Sequence, residues 1–291
     1  HLGSRVHLNH SRCSSSVAMK SVTVLSSLLK VAQNSAVTAV RQSTSAMEQM
    51  LKKFDKRYGK DKDIKDHIIT ITAEYHAVQG RAVKYIKDMQ AFAKLAAEQY
   101  VPSLEEALND GSVKLTRRML EDLSAHFDQV LESLEDVVTK YEGAMRCLDE
   151  ETTDDGAGPP GYAAACLRGV ASLFSRLLAF FGFARGSKQL EMHDCFAETM
   201  GKVESIVSNH KAEMRSIQSK LKPSVTDAGT VQLLVSDWGE GESDVKEELR
   251  KYMGLTRSQF GTLEGHCLGY ASTSGQGRGG TEQVMGGAGQ V

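Results

Sequence analysis

Lys114–Asp149 reads KLTRRMLEDLSAHFDQVLESLEDVVTKYEGAMRCLD. Its residues Leu120, Leu123, Phe127, Val130, Leu134, Val137, Tyr141, Ala144 and Leu148 stand at alternating spacings of three and four. That ruler follows the turn of an α-helix, so these side chains line one stripe. The same spacing recurs over residues 17–58, with Val22, Leu25, Leu29, Ala32, Ala36, Ala39, Ser43, Ala46 and Met50. It recurs again over about 62–100, with Ile68, Ile71, Tyr75, Val78, Ala82, Tyr85, Met89, Phe92 and Ala96. Alternation sustained over some four heptads is the seam of a coiled coil or a long bundle. Helices of roughly 35–40 residues span on the order of 55–60 Å at about 1.5 Å per residue. A fourth amphipathic helix is expected over about 188–221, using Met192, Phe196, Val203, Ile206, Met214, Ile217 and Leu221, with His210 interrupting its seam.

The expected fold is therefore all-α: an elongated antiparallel bundle of long heptad-patterned helices, with an inserted apolar helix or hairpin and a disordered C-terminal tail. Composition agrees. The 291 residues include only four prolines and 6% aromatics, and helix-forming residues dominate the first 222. The connections carry breakers. Tyr58-Gly59 ends the first helix, with Gly59 as a left-handed cap, and Pro102 ends the second. Ser103 and Glu106 form a capping box, and Asn109-Asp110-Gly111 is a turn before Ser112 opens the third helix. Short links make neighbouring helices antiparallel.

Along the chain, residues 1–16 read as a flexible N-terminus and 17–222 as the bundle. Residues 223–268 read as a small helical or irregular region, in which Val231–Val235 is a short strand or a helical turn and Gly254 closes a helix from Ser243 to Met253. From 269 to 291 glycine, serine and glutamine dominate, which is the composition of a disordered tail.

The net charge of −2 conceals segregation. Residues 1–102 carry 16 Lys/Arg against 8 Asp/Glu, and residues 103–155 carry 5 against 15. Between Gly156 and Leu190 there is no acid, and Gly161–Arg185, GYAAACLRGVASLFSRLLAFFGFAR, is the most apolar run in the chain. As a helix it has a narrow polar stripe of Arg168, Ser172, Ser175 and Arg176. A transmembrane span would place both arginines in hydrocarbon at a few kcal/mol each. An interfacial helix suits the residues better, with Leu167, Val170, Phe174, Leu177, Leu178 and Phe181 toward acyl chains and Arg168 and Arg176 toward headgroups. The antiparallel order brings the tip Lys52, Lys53, Lys56, Arg57, Lys60, Lys62 and Lys65 to the same end as this segment, together with the acidic linker Asp149–Asp155.

Catalytic constellations are not found. Gly182–Lys188 is one residue short of a phosphate-binding loop and follows no strand. His193, Asp194 and Cys195 are consecutive on a helix and fan apart, so they share no metal. Asp63/His67 and Asp122/His126 read as pairs on exposed helix faces. The five scattered cysteines suit reduced thiols in a cytosolic setting. No enzyme activity, cofactor, metal or nucleic-acid partner is expected. The expected partners are anionic membrane lipid or a helical protein, with a homo-oligomer as the assembly. Peripheral attachment in the cytoplasm is the expected location; a secreted or mitochondrial one follows if the acid-free N-terminus is a targeting segment.

The layout of residues 17–222, long helices with an apolar insertion after the third, resembles the cytolysin-A-type helical pore-forming toxins. Three long heptad helices with basic patches are also similar to BAR-domain membrane-curving dimers. Both resemblances imply a non-enzymatic protein that acts on membranes, remodelling or perforating them; the segment expected to make the contact, 161–185, is read from its own residues and has no counterpart in an ordinary BAR domain. The alternative is a coiled-coil scaffold or oligomerisation protein that binds another protein.

Overall fold

A computed structural model of the chain describes residues 10–58, 60, 62–150 and 187–276, and among these residues all regular structure is helical. The helices are α1 His10–Ala32, α2 Ala36–Tyr58, α3 Lys62–Leu95, α4 Val101–Asn109, α5 Val113–Glu150, α6 Ser187–Thr226, α7 Ala228–Gly239 and α8 Ser243–Gln276, with a π-turn at Ala96–Tyr100. They build two compact units. One comprises residues 1–37, 85–132 and 211–291, the other 38–84 and 133–210. The apolar insertion 161–185 lies outside the described residues.

In the first unit the three-four stripes are buried: Leu25, Leu29, Ala32 and Ala36; Tyr85, Met89, Phe92 and Ala96; Leu120, Leu123, Phe127 and Val130. Phe92 joins three helices, lying 5.9 Å from the Phe127 ring and 5.6 Å, edge to face, from Phe260 of α8. Each such pair contributes about 0.5–1.5 kcal/mol beyond its burial. Helix α1 packs on α7 and α8. Trp238 of α7 is buried and donates Nε1–H to Asn109 Oδ1 at 2.9 Å.

The first helix is not one rod. It breaks at residues 33–35, where no glycine or proline stands. Asn34 is buried and supplies the turn's hydrogen bonds from its own side chain. Its Nδ2 donates to Val31 O at 2.6 Å and its Oδ1 accepts from Ala36 N at 2.9 Å. A short amide that satisfies local backbone groups competes with the helix ladder.

Pro102, expected to end a helix, does not, and a second proline also lies within one. Pro102 lies in the first turn of α4, and the chain reaches it through the π-turn, with Val101 N–H bonded to Ala96 O. Widening the turn accommodates a ring that lacks an N–H and clashes with the carbonyl four residues back. Consequently Ser103 lies inside a helix and caps nothing; Tyr100, at the N-cap, makes no side-chain cap either. Pro223 sits inside α6, which runs on to Thr226. The stop comes at Asp227, whose carboxylate accepts from Gly229 N and Thr230 N at 3.3 and 3.1 Å and starts α7. The Thr230 hydroxyl, and then the backbone N–H groups, hold this carboxyl below its ordinary range.

Residues 231–235 are helical. Gly254 does not close a helix, because α8 passes through it and continues to Gln276, beyond the expected start of the tail at 269. The Asn109-Asp110-Gly111 turn matches its sequence signature. Gly111 takes φ +64°, Ser112 N bonds Ala107 O and Gly111 N bonds Leu108 O, which is a Schellman closure needing glycine. Ser112 Oγ then accepts from Leu115 N at 3.4 Å.

In the second unit Met47, Met50, Phe54 and Tyr58 of α2 form a core with Tyr75 of α3 and Val203 of α6, against which Tyr141 of α5 and Cys195 pack. Tyr75 OH donates to Glu48 Oε1 at 3.3 Å. Arg81 and Asp136 pair across α3 and α5 at 2.8 Å, but both are about half exposed, so the pair contributes under about 1 kcal/mol. Apolar burial dominates.

Two outcomes follow from these contacts. Asn34→Ala removes the cap at the α1–α2 break and should lower the unfolding free energy by about 1 kcal/mol in urea titration; an unchanged midpoint would show that the amide is idle. Burial pushes the Tyr85 phenol well up, helped by the charges of Cys267 and Glu213, and burial with Glu264 pushes the Cys267 thiol up to about 12. The folded unit therefore keeps protons that an unfolded chain releases near about 8.5 and 10. Stability is full below that window and falls as pH rises through it. The melting temperature should drop between pH 8 and 11, and the drop should be smaller in Tyr85→Phe/Cys267→Ala.

Candidate functional site

The end of α2 has two faces because its apolar and basic residues run on different helical stripes. Met50, Phe54 and Tyr58 point into the core of the second unit, while Lys52, Lys53, Lys56 and Arg57 are exposed, as is Lys60 in the turn beyond. Cations in the last turn are favoured by the helix dipole, and Lys56 and Arg57 occupy it. Asp55 is the acid exposed among them. Lys62 and Lys65 fall in the first turns of α3, and their side chains lie outside the description.

Lys53 of the basic stretch acts electrostatically on Glu198, in the fourth turn of α6. Glu198 is exposed and its carboxyl is held below the ordinary range, first by the Lys202 ammonium that donates to it and then by Lys53 across from α2. Helix α5 ends at Glu150 and α6 begins at Ser187, so both helices that carry the 151–186 connection belong to this unit at their connected ends. Leu167, Arg168, Val170, Phe174, Arg176, Leu177, Leu178 and Phe181, and the linker beyond Glu150, lie outside the described residues. Among the described residues no helix is long and apolar enough to cross a membrane.

The same unit holds a small cavity of about 10 Å³, the space of one water. Ser43 of α2, Tyr141 of α5 and His210 of α6 line it beside Ala82 of α3 and apolar residues. His210 is 3% exposed and Ser43 2%. Ser43 Oγ has no hydrogen-bond partner among the described residues. In the sequence the two polar residues stand apart, Ser43 as a seam position and His210 as an interruption, and nothing there brings them together. The usable signal was that each is a polar exception within an apolar stripe.

The Asp122/His126 pair is not an exposed ion pair. His126 is half-buried, its Nδ1 lying 2.9 Å from Tyr100 OH and 3.1 Å from the Asp122 backbone oxygen, while the Asp122 carboxylate lies 3.9 Å from Arg118. Burial, and then the Asp122 charge, push the Tyr100 phenol up. The side chains of Asp63, His67, His193 and Asp194 lie outside the description; Cys195 is half-buried against the second core. Among the described residues no three His, Cys, Asp or Glu side chains group to hold a metal.

No family of known proteins matches this chain, and no curated protein matches it as a relative. The geometry alone therefore carries the reading: a cation-covered helix end on a unit whose own core is apolar, with a water-sized cavity inside.

Because the Ser43 hydroxyl is desolvated without a protein partner, Ser43→Ala should leave the stability of the unit unchanged or raise it by up to about 1 kcal/mol. A clear loss in denaturant titration would show that the hydroxyl is held.

Proposed function

We propose that this is a non-enzymatic helical-bundle protein that associates with membranes, laying 161–185 into the interface as an amphipathic helix while the α2 end meets anionic headgroups. The observation that supports it is the exposure of Lys52, Lys53, Lys56, Arg57 and Lys60 on one short stretch, backed by a buried apolar face. Such a stretch keeps its cations outward without disturbing the core. Each Lys or Arg near an anionic surface contributes about 1 kcal/mol, screened by salt. The apolar helix supplies the remainder through area buried among acyl chains. In this reading 161–185 is an inserted apolar element of a heptad-patterned antiparallel bundle. The acidic stretch 149–155 latches onto the basic tip in solution until lipid competes for it. The setting is the cytoplasmic face of a membrane, as a peripheral oligomer that remodels or perforates it.

A second reading, a helical scaffold whose partner is protein, is favoured by one feature. Leu255 and Leu268 stand 41% and 49% exposed on α8, away from the basic end in sequence and within the first unit.

Vesicle co-sedimentation of the full chain separates the two. Wild type should pellet with phosphatidylserine-containing vesicles and far less with phosphatidylcholine alone. Lys52→Glu/Lys53→Glu/Lys56→Glu should weaken binding at least about tenfold, given three reversed charges, and high salt should do the same. Leu177→Glu/Phe181→Glu should abolish it. Pelleting of that variant equal to wild type would end the lipid reading.

A further inference from the structure

Helix α8 has a second face that packs on nothing among the described residues of its unit. Its buried side is Leu249, Met253, Phe260, Leu263, Cys267 and Tyr270. Opposite, Gly254, Ser258, Gly261, Gly265, Leu268 and Ser272 are all exposed, and their steps of four and three repeat the ruler of a packing seam. Leu268, at 49%, is a large apolar side chain standing in solvent toward the C-terminal end of that face. The glycines around it are unexplained by internal packing: a Cβ at Gly254, Gly261 or Gly265 would meet nothing within 4 Å. Glycine inside a helix costs about 1 kcal/mol relative to alanine. Three of them along one face leave its backbone open to close approach by a partner helix.

The face is complementary to itself. Gly254 and Leu268 lie seven residues on either side of Gly261, so an antiparallel copy centred there sets each exposed leucine over the bare backbone of the other chain. Arg257 and Glu264 share one edge of the helix, four residues before and three after that centre. In an antiparallel pair, like edges face each other, so Arg257 of each chain opposes Glu264 of the other, twice by symmetry. Arg257 is exposed and Glu264 half-buried, which leaves both able to meet across the edge.

We propose that α8 pairs antiparallel with α8 of a second copy about a two-fold axis at Gly261, seating Leu268 over Gly254 and Arg257 against Glu264. The pairing deepens the scaffold reading by naming its surface and its partner, and it stands independently of lipid binding. One helix face lies at the small end of stable interfaces, so the dimer dissociates in the micromolar range.

Sedimentation velocity on the full chain over a concentration series tests this. Wild type should show a reversible monomer–dimer equilibrium. Arg257→Glu should raise the dissociation constant about tenfold or more by opposing like charges, and Arg257→Glu/Glu264→Arg should restore it. Gly254→Leu should abolish the dimer while circular dichroism and melting temperature hold or improve, since the site is open in the monomer. A chain that is monomeric throughout overturns this pairing and the self-association part of the scaffold reading. A dimer indifferent to Arg257→Glu and Gly254→Leu overturns this interface alone and leaves the scaffold reading standing. Concentration-independent effects of these variants would place a segment of the same chain on the face, and that too overturns the proposal.

Discussion

Each long helix can bury one stripe, and everything else in the molecule accommodates that limit. Fully burying a large apolar side chain contributes about 1.5–3 kcal/mol. The exposed ion pairs, such as Arg81–Asp136 and Lys222–Asp128, contribute under about 1 kcal/mol each. The stripes therefore hold the fold, and ion pairs trim its surface. Phe92 shows the arrangement at its densest, touching rings from α5 and α8 at once. Truncating such a residue would remove its own burial and strip two neighbours of theirs.

Polar residues inside those stripes are tolerated where the helix itself can satisfy them. Thr256 donates to Tyr252 O and Asn34 turns its amide onto Val31 O. Ser43 and Thr116 differ, because their hydroxyls are buried with no partner among the described residues. Ser43 shares its cavity with His210 and Tyr141, so polar groups from three helices gather in one place rather than scattering. A polar layer of this kind fixes helix register in coiled coils at some cost in stability.

The long stripes are legible in the sequence because apolar residues repeating at three and four over some thirty positions can share a face only on a helix, and the burial of Leu120 through Val137 follows that repeat. The interruptions are not legible. At residues 33–35 the stripe runs on from Ala32 to Ala36, four apart and both buried, so periodicity passes over the break that Asn34 makes. Pro102, Pro223 and Gly254 look like stops by local propensity, and burial overrides them: Val101, Leu104, Val225 and Met253 are all buried beside them. Of the candidate site, the cations of α2 are visible as a charge cluster alternating with apolar anchors. The cavity is not, since Ser43, Tyr141 and His210 are distant in sequence and nothing local links them.

The surfaces left over carry the weight of the functional question, because internal stability does not account for them. Lys52, Lys53 and Lys56 repel one another on a single exposed stretch, a cost that a neutral surface would avoid. The glycines of α8 weaken a helix that alanine would strengthen, at positions with room for a methyl group. Among the described residues, the packing of the core accounts for neither feature. In the proposals made above, each feature is matched by a surface that meets it. For the α2 end the proposed contact is negatively charged. For α8 the proposed contact is a close-packed helix, because a bare backbone is useful to a close approach.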